Sequence, residues 1–386
     1  MISLAGMCLA LGALAEEAPD LTALCAFKGS NNTKMLKYLG DNDYSTYWRS
    51  QGGAAAKLRI TLPEGEEAWG LYLKWYDKPT RCQVMTEQDG EWRPIAQTDG
   101  TYLAEYIPLP QGVRDFRLCP APKVKSRMVL AEVRVLGRGE APAWVQRWEP
   151  PAEKADLLVI SAHPDDEILF MGGTIPYYAG ERGKTVQVAY LTRSMPYRRL
   201  ELLDGLWLCG VRNYPDIGPM GDNFASSLVK MYKVWSKDKL YGYIVKLYRR
   251  YKPQVVVTHD INGEYGHAAH KAAADAAMKT LRMAAGSKYF KSSYTAYGAW
   301  DVPKLYLHLY DENVVDMDWR QPLGAFQGKT AFDMAQAAFQ CHASQLKTRY
   351  VVEDFGPYDN SLFGLYRSLV GPDTHGGDFF ENIPEN

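Results

Sequence analysis

Apolar and polar positions change rhythm along the chain. Between residues 21 and 137 the apolar stretches are short: LRITL (58–62), LYLKWY (71–76), RCQVMT (81–86), DFRLCP (115–120) and LAEVRVLG (130–137). Several alternate apolar with polar residues. Turn residues recur between them, as in Pro63-Glu64-Gly65, Asp77-Lys78-Pro79, Asp89-Gly90, Asp99-Gly100 and Gln111-Gly112. A period of two, punctuated by turns and without a long helical period, predicts an all-β sandwich. Residues 138–154 are rich in proline and charge and read as a linker. From residue 155 apolar strands alternate with helical stretches. Strand 157–160 precedes a helix over about 165–181; strand 186–191 precedes a helix over about 197–209. A helix over about 236–251, strand 255–257 and an Ala-rich helix over about 266–285 follow. This succession predicts a Rossmann-like α/β domain over 155–386, with a mostly parallel sheet and helices on both faces. Its tail, about 290–386, mixes strands and loops with one helix near 328–347.

Composition narrows the picture only in places. A chain of 386 residues has room for two or three domains, and 46% hydrophobic residues can fill their cores. A net charge of −1 excludes a global electrostatic pull toward nucleic acid or an anionic membrane. The 26 Tyr and 10 Trp suit flat sugar faces as well as cores. Residues 1–15 are apolar and uncharged and end in Ala13-Leu14-Ala15 before Glu16-Glu17. That pattern predicts a secretory signal peptide, and with it an exported protein, secreted or at the cell surface. No later stretch offers 18 uninterrupted apolar residues, so no integral membrane segment is expected after signal removal. Six cysteines without a CxxC pair argue against a structural zinc ribbon. In an exported protein Cys25 and Cys119 are one possible disulfide, which sequence alone leaves open.

The chemistry gathers in two loops. Leu157–Gly173, LLVISAHPDDEILFMGG, is a buried strand that breaks into His163, Pro164, Asp165, Asp166 and Glu167. Loops at the carboxyl ends of parallel strands are where α/β sheets carry their sites. A His beside two adjacent carboxylates forms half a metal site, in which one carboxylate ligates while the other works on a water. The same residues would also serve as a polar turn with helix-start carboxylates. The second half follows strand 255–257: Thr258-His259-Asp260-Ile261-Asn262-Gly263-Glu264-Tyr265-Gly266-His267-Ala268-Ala269-His270. His267 and His270, three apart, share one face of a helix start. Two such loops in one crevice match an open catalytic zinc site better than two unrelated polar loops.

The motifs AHPDDE (162–167) and GHAAH (266–270) resemble those of the PIG-L/LmbE-like zinc-dependent N-deacetylases. LTR at 191–193, Arg198 and Glu201 in an R-x-x-E, and His342-Ala343-Ser344-Gln345 in an H-x-S-Q support the resemblance, which covers about 157–346. Ser194-Met195 departs from the Gly-Glu that the family often has after LTR. The resemblance implies that His163, Asp166 and His270 bind Zn²⁺ and that Asp165 is the general base. It also implies that His267 stabilises the oxyanion or protonates the leaving amine. Arg193, Asn262 and Glu264 are expected substrate contacts at the same crevice. Tyr265 reads as a turn residue, and His342 as structural, or else as lining the pocket or supporting it from behind.

The segment Leu39–Ser50, with Asp41, Thr46 and Trp48, resembles the loop of a discoidin, or F5/8 type C, domain, and Ala131–Gly137 resembles its last strand. That family is a jelly-roll sandwich, and many of its bacterial members bind carbohydrate. The resemblance implies a glycan ligand and a structural Ca²⁺ held by Asp41, Thr46 and Glu132, oxygen ligands that suit a hard cation. Asn42 stands where the family often has Gly, and Trp48 is expected in the core. Together these readings predict a zinc-dependent hydrolase that removes an N-acetyl group from a GlcNAc-type sugar or glycoconjugate, with an accessory carbohydrate-binding domain. Two alternatives stand beside it: a non-catalytic glycan-binding surface protein, and a zinc O-acetyl esterase. Fe²⁺ would fit the same metal ligands.

Overall fold

The computed structural model describes residues 16–384; the expected leader, 1–15, lies outside them. The chain divides into two compact units, the division falling between Val145 and Gln146. In the first unit nine strands form two antiparallel sheets. They are β1 (Ala26–Gly29), β2 (Trp48–Arg49), β3 (Leu58–Thr61), β4 (Ala68–Trp75), β5 (Cys82–Gln88), β6 (Glu91–Gln97), β7 (Ala104–Val113), β8 (Asp115–Pro120) and β9 (Val129–Leu136). One sheet runs β1-β3-β8-β5-β6 and the other β2-β9-β4-β7. Alternation explains the burial: Leu58 and Ile60 of β3, and Phe116 and Leu118 of β8, are fully buried while their neighbours are not. Two antiparallel sheets, each with a buried apolar row, make the sandwich the sequence predicts. Strands β6 and β7 escape the sequence pattern because Pro94, Pro108 and Pro110 interrupt it. Both are edge strands, where proline is tolerated.

Trp48 is a core residue, fully buried, with its indole N–H donating to the Asn31 carbonyl at 3.0 Å. Gly29 makes room for it: a Cβ there would lie 2.8 Å from the indole. Thr46 Oγ1 donates to Asp41 Oδ2 at 2.9 Å. Glu132 accepts from the Asn42 N–H at 2.7 Å and from the Arg134 guanidinium at 2.9 Å. The residues expected to hold calcium, Asp41, Thr46 and Glu132, are thus linked by Thr46 to Asp41 and, through Asn42 and Arg134, to Glu132. Cys25 and Cys119 are free thiols, not a disulfide.

The stretch read as a linker is packed. The Ala18 N–H donates to the Glu140 carbonyl in the first unit. In the second, Gln146 is buried, and the Trp148 ring meets Trp207 and Tyr214 edge-on at 5.4 and 5.6 Å.

The second unit carries strands β10 (Leu157–Ser161), β11 (Val186–Thr192), β12 (Asp216–Met220), β13 (Val255–Thr258), β14 (Lys304–His308), β15 (Val314–Asp316) and β16 (Leu362–Ser368). They form one sheet in the order β12-β11-β10-β13-β14-β16-β15. The first five are parallel; β16 runs antiparallel to both β14 and β15. The helices are α1 (Asp166–Leu169), α2 (Pro196–Leu208), α3 (Leu228–Val234), α4 (Lys237–Tyr251), α5 (Ala268–Ala285), α6 (Lys291–Tyr297) and α7 (Ala331–Gln340). Small side chains on α5, Ala269, Ala272, Ala273, Ala276 and Ala277, are all fully buried in the core shared with α4. The single helix expected over 165–181 is broken into α1 and a π-type turn, Pro176–Glu181. The cause is Gly172, at φ +42°, where a Cβ would lie 2.4 Å from Asn360. Helix α7 is shorter than the expected 328–347 and starts at a Thr330–Asp333 capping box. Strands β10 and β13 pair directly, Val159 opposite Val257. Their carboxyl ends therefore deliver the two polar loops side by side.

Candidate active site

Ser161 ends β10, and its hydroxyl donates to the His163 carbonyl at 2.7 Å, folding the chain back. Asp165 takes φ +111°, a conformation that costs a non-glycine residue energy and that clusters at functional sites. The turn is held by carboxylates that follow it. Asp166 Oδ2 accepts from the His163 N–H at 2.8 Å and lies 2.9 Å from His163 Nδ1. Glu167 Oε2 accepts from the Asp165 N–H at 3.0 Å, and its Oε1 accepts from the Tyr190 hydroxyl at 2.7 Å. The Arg198 guanidinium donates to Asp165 Oδ1 at 2.8 Å. From the other loop, His270 on α5 brings its Nε2 to 3.2 Å from Asp166 Oδ2.

Four rings, His163, His259, His267 and His270, crowd this crevice; His163 lies 4.9 Å from His267 and 5.5 Å from His270 between centroids. Hydrogen bonds sort their roles. His259 Nε2 accepts from the Ala162 N–H at 2.9 Å, so its lone pair is occupied. His267 is the N-cap of α5: its Nδ1 accepts from the Ala269 N–H at 3.3 Å. In the neutral ring that leaves the proton on Nε2, a donor facing the site. His270 Nδ1 lies 2.7 Å from Glu264 Oε2, which places the proton on Nδ1. His270 Nε2 is buried, outside hydrogen-bonding alignment, and turned toward a carboxylate oxygen. Two electron-rich atoms in that relation call for a positive charge between them. A tetrahedral zinc sets its N and O ligands roughly 3.3 Å apart; the observed separations of 2.9 and 3.2 Å about Asp166 Oδ2 suit one. His163, His267 and His270, and likewise Asp166, His259 and His270, bring ligand atoms within 4.8 Å of one another, so this cluster could hold a divalent metal, and its N,O donors suit zinc or iron.

The electrostatics agree with this sorting. Burial opposes charge on Asp166, but His270 and His163 outweigh it and hold the carboxyl well below its usual range. Burial likewise opposes charge on His270, yet Asp166 and Glu264 on either side push it up to about 10. The spot attracts positive charge, whether proton or metal. Burial, with the neighbouring imidazoles His270 and His163, brings His267 down to about 3, so it is neutral at neutral pH. Burial raises Asp165 well above the carboxylate range; Arg198 pulls the other way, while Asp166 and Glu167 add to the rise. Burial also takes Glu167 up to about 7.

His163, Asp165, Asp166, His267 and His270 are thus brought together. Arg193, in the loop after β11, and Asn262, in the loop after β13, are exposed, and their backbone N–H groups donate to the Met220 carbonyl and to Asp260 Oδ1. Glu264 is a correction. Instead of facing a substrate it is fully buried beneath the rings, where it accepts from His270 and, at 2.9 Å, from His259 Nδ1. Tyr265 is more than a turn: its ring lies 5.5 Å from His267 and 5.4 Å from His270 and stacks on Tyr350 at 4.7 Å. His342 is fully buried behind Glu167, with Nε2 3.9 Å from Oε1. Two side motifs meet, since Glu201 accepts from the Ser344 N–H at 2.8 Å and its hydroxyl at 2.6 Å. Sequence reasoning misses Asp222, whose Oδ1 lies 3.8 Å from His163 Nε2 and whose Oδ2 accepts from Ser194 at 3.0 Å. It sits in an irregular loop after β12 with no motif to mark it.

The second unit is an α/β domain whose crevice carries a His/Asp cluster able to hold a metal. Residues 158–281 match the PIG-L family model, described as GlcNAc-PI de-N-acetylase. The 1D-myo-inositol 2-acetamido-2-deoxy-alpha-D-glucopyranoside deacetylase 1 of Catenulispora acidiphila is 30% identical over 194 residues, 43% of this chain and 59% of the relative. The enzyme of the same name numbered 2, from Saccharopolyspora erythraea, is 31% identical over 178 residues, 39% of this chain and 63% of the relative. The chain therefore covers about three-fifths of the length of these curated relatives. Among solved structures, the N,N'-diacetylchitobiose deacetylase of Pyrococcus horikoshii gives a TM-score of 0.39 at 19% identity, covering 50% of this chain and 71% of that one. For the first unit, an F5/8 type C domain from Bacteroides fragilis gives 0.26 at 14% identity, covering 32% of this chain and 96% of that one.

Proposed function

We propose that the second unit hydrolyses the N-acetyl group of a GlcNAc-type sugar or glycoconjugate, with a divalent cation, zinc by donor chemistry, held by His163, Asp166 and His270. The observation that carries this reading is the sorting of the rings. Asp166 Oδ2 lies between His163 Nδ1 and His270 Nε2, at 2.9 and 3.2 Å, while a separate ring, His267, caps α5. The cation supplies Lewis-acid polarisation of the acyl carbonyl and an acidified water. Asp165 takes the proton of the attacking water and passes it to the departing amine. Its strained backbone and the Arg198 contact at 2.8 Å fix its position for that transfer. His267, neutral and protonated on Nε2, donates to the developing oxyanion. Arg193 and Asn262, exposed at the rim, contact the sugar hydroxyls. The first unit binds a glycan and keeps the enzyme on it, and residues 1–15 direct export. Support for the amino-sugar substrate comes from the PIG-L match and from the names of the curated relatives.

The test is release of acetate and free amine from a panel of N-acetylglucosamine, N,N'-diacetylchitobiose and a GlcNAc–inositol conjugate, before and after chelation. At least one substrate turns over, activity falls to background with chelator, and added Zn²⁺ restores it. Turnover that survives complete metal removal would refute the proposal. Acetate released from matched O-acetyl sugars alone would replace it with the esterase reading.

A further inference from the structure

Glu264 is the centre of a buried network that extends beyond the metal cluster. Its Oε2 takes the Nδ1 atoms of His270, at 2.7 Å, and His259, at 2.9 Å. Its Oε1 takes the Asp260 N–H at 3.2 Å and His308 Nδ1 at 2.7 Å. Glu264 and all three rings are fully buried. His308 is the last residue of β14, and its other nitrogen, Nε2, lies 2.9 Å from the Asp359 carbonyl. The His308 ring thus links the Glu264 carboxylate to the backbone at Asp359, and Glu264 in turn links it to His270.

We infer that His308 is a positioning residue for the metal site: it holds the Glu264 carboxylate in place, which in turn fixes the His270 ring with its Nε2 toward Asp166. The inference rests on the metal reading given above. It makes strand β14, 38 residues beyond His270 in the chain, part of the metal centre's support without touching the metal. It also explains why a glutamate in a polar loop is turned inward: one carboxylate orients two rings and is itself oriented by a third.

The experiment measures Zn²⁺ affinity of the metal-free full chain by competition with a chromophoric chelator, for wild type, His308→Phe and His308→Gln. Folding is monitored by the thermal midpoint of each metal-free chain, and coordination by the visible spectrum of the Co²⁺-loaded form. Loss of an outer-shell partner of a metal-bound His typically weakens affinity by about 10- to 100-fold. His308→Phe is expected to show that loss and an altered Co²⁺ spectrum. His308→Gln, which keeps one N–H donor, is expected to fall between it and wild type. If His308→Phe does not fold, His308→Gln decides alone. Folded variants with wild-type affinity and spectrum would overturn the inference while leaving the deacetylase proposal standing. A wild-type chain that binds no Zn²⁺ or Co²⁺ would overturn both.

Discussion

At the residue scale the site is a division of labour among similar side chains. Two adjacent aspartates receive different environments: Asp166 sits against two imidazoles, Asp165 against a guanidinium in a strained turn. Two histidines three positions apart are likewise separated, one as helix cap and donor, the other as ligand. The motif residues were legible because their spacing after two apolar strands is specific. The direction in which Glu264 points was not, since a glutamate beside such a motif looks the same in sequence whether it faces a substrate or the core. His259 and His308 carried no signal of their own: single histidines acquire meaning only when the sheet brings them to one carboxylate. The donor role of His267 gives a direct prediction. His267→Ala removes an oxyanion contact of the kind worth about 10²–10³ in kcat. Steady-state kinetics should show that fall in kcat with metal content unchanged; loss of the metal instead would make His267 a ligand.

At the element scale the site depends on where strands stop. β10 and β13 are short, apolar up to a terminal Ser161 and Thr258, and paired in register, so their polar ends emerge together. That was readable, as were α2, α4 and α5 to within a few residues. The alanine face of α5 suits close packing on α4, and it carries His270 at the helix start. What misled the periodicity was glycine. The run 165–181 has helical composition, but Gly172 takes a left-handed conformation against Asn360, and the chain turns there. Gly172→Ala should therefore destabilise the second unit by more than about 1 kcal/mol, since alanine is disfavoured at positive φ and a Cβ there has no room. Urea denaturation followed by tryptophan fluorescence checks it; an unchanged midpoint would mean that the turn is set elsewhere. Prolines hid β6 and β7 for the opposite reason, because they break the strand signal yet are tolerated at sheet edges.

At the scale of the whole molecule, two units of different texture were visible from the change in rhythm near residue 155, and the division falls ten residues earlier, at 145/146. The offset arises because the proline-rich stretch is itself packed, with Trp148 buried against Trp207 and Tyr214. A charged, proline-rich composition reports the absence of a regular element, not the absence of contacts. The central claim is that His163, Asp166 and His270 hold a metal on which Asp165 acts without ligating it. Metal content and acetate release measured together on wild type, His270→Ala and Asp165→Asn test it most directly. About one metal per chain is expected in wild type and in Asp165→Asn and none in His270→Ala, with turnover in wild type alone. Metal lost with Asp165→Asn, or retained at full activity in His270→Ala, would contradict the account.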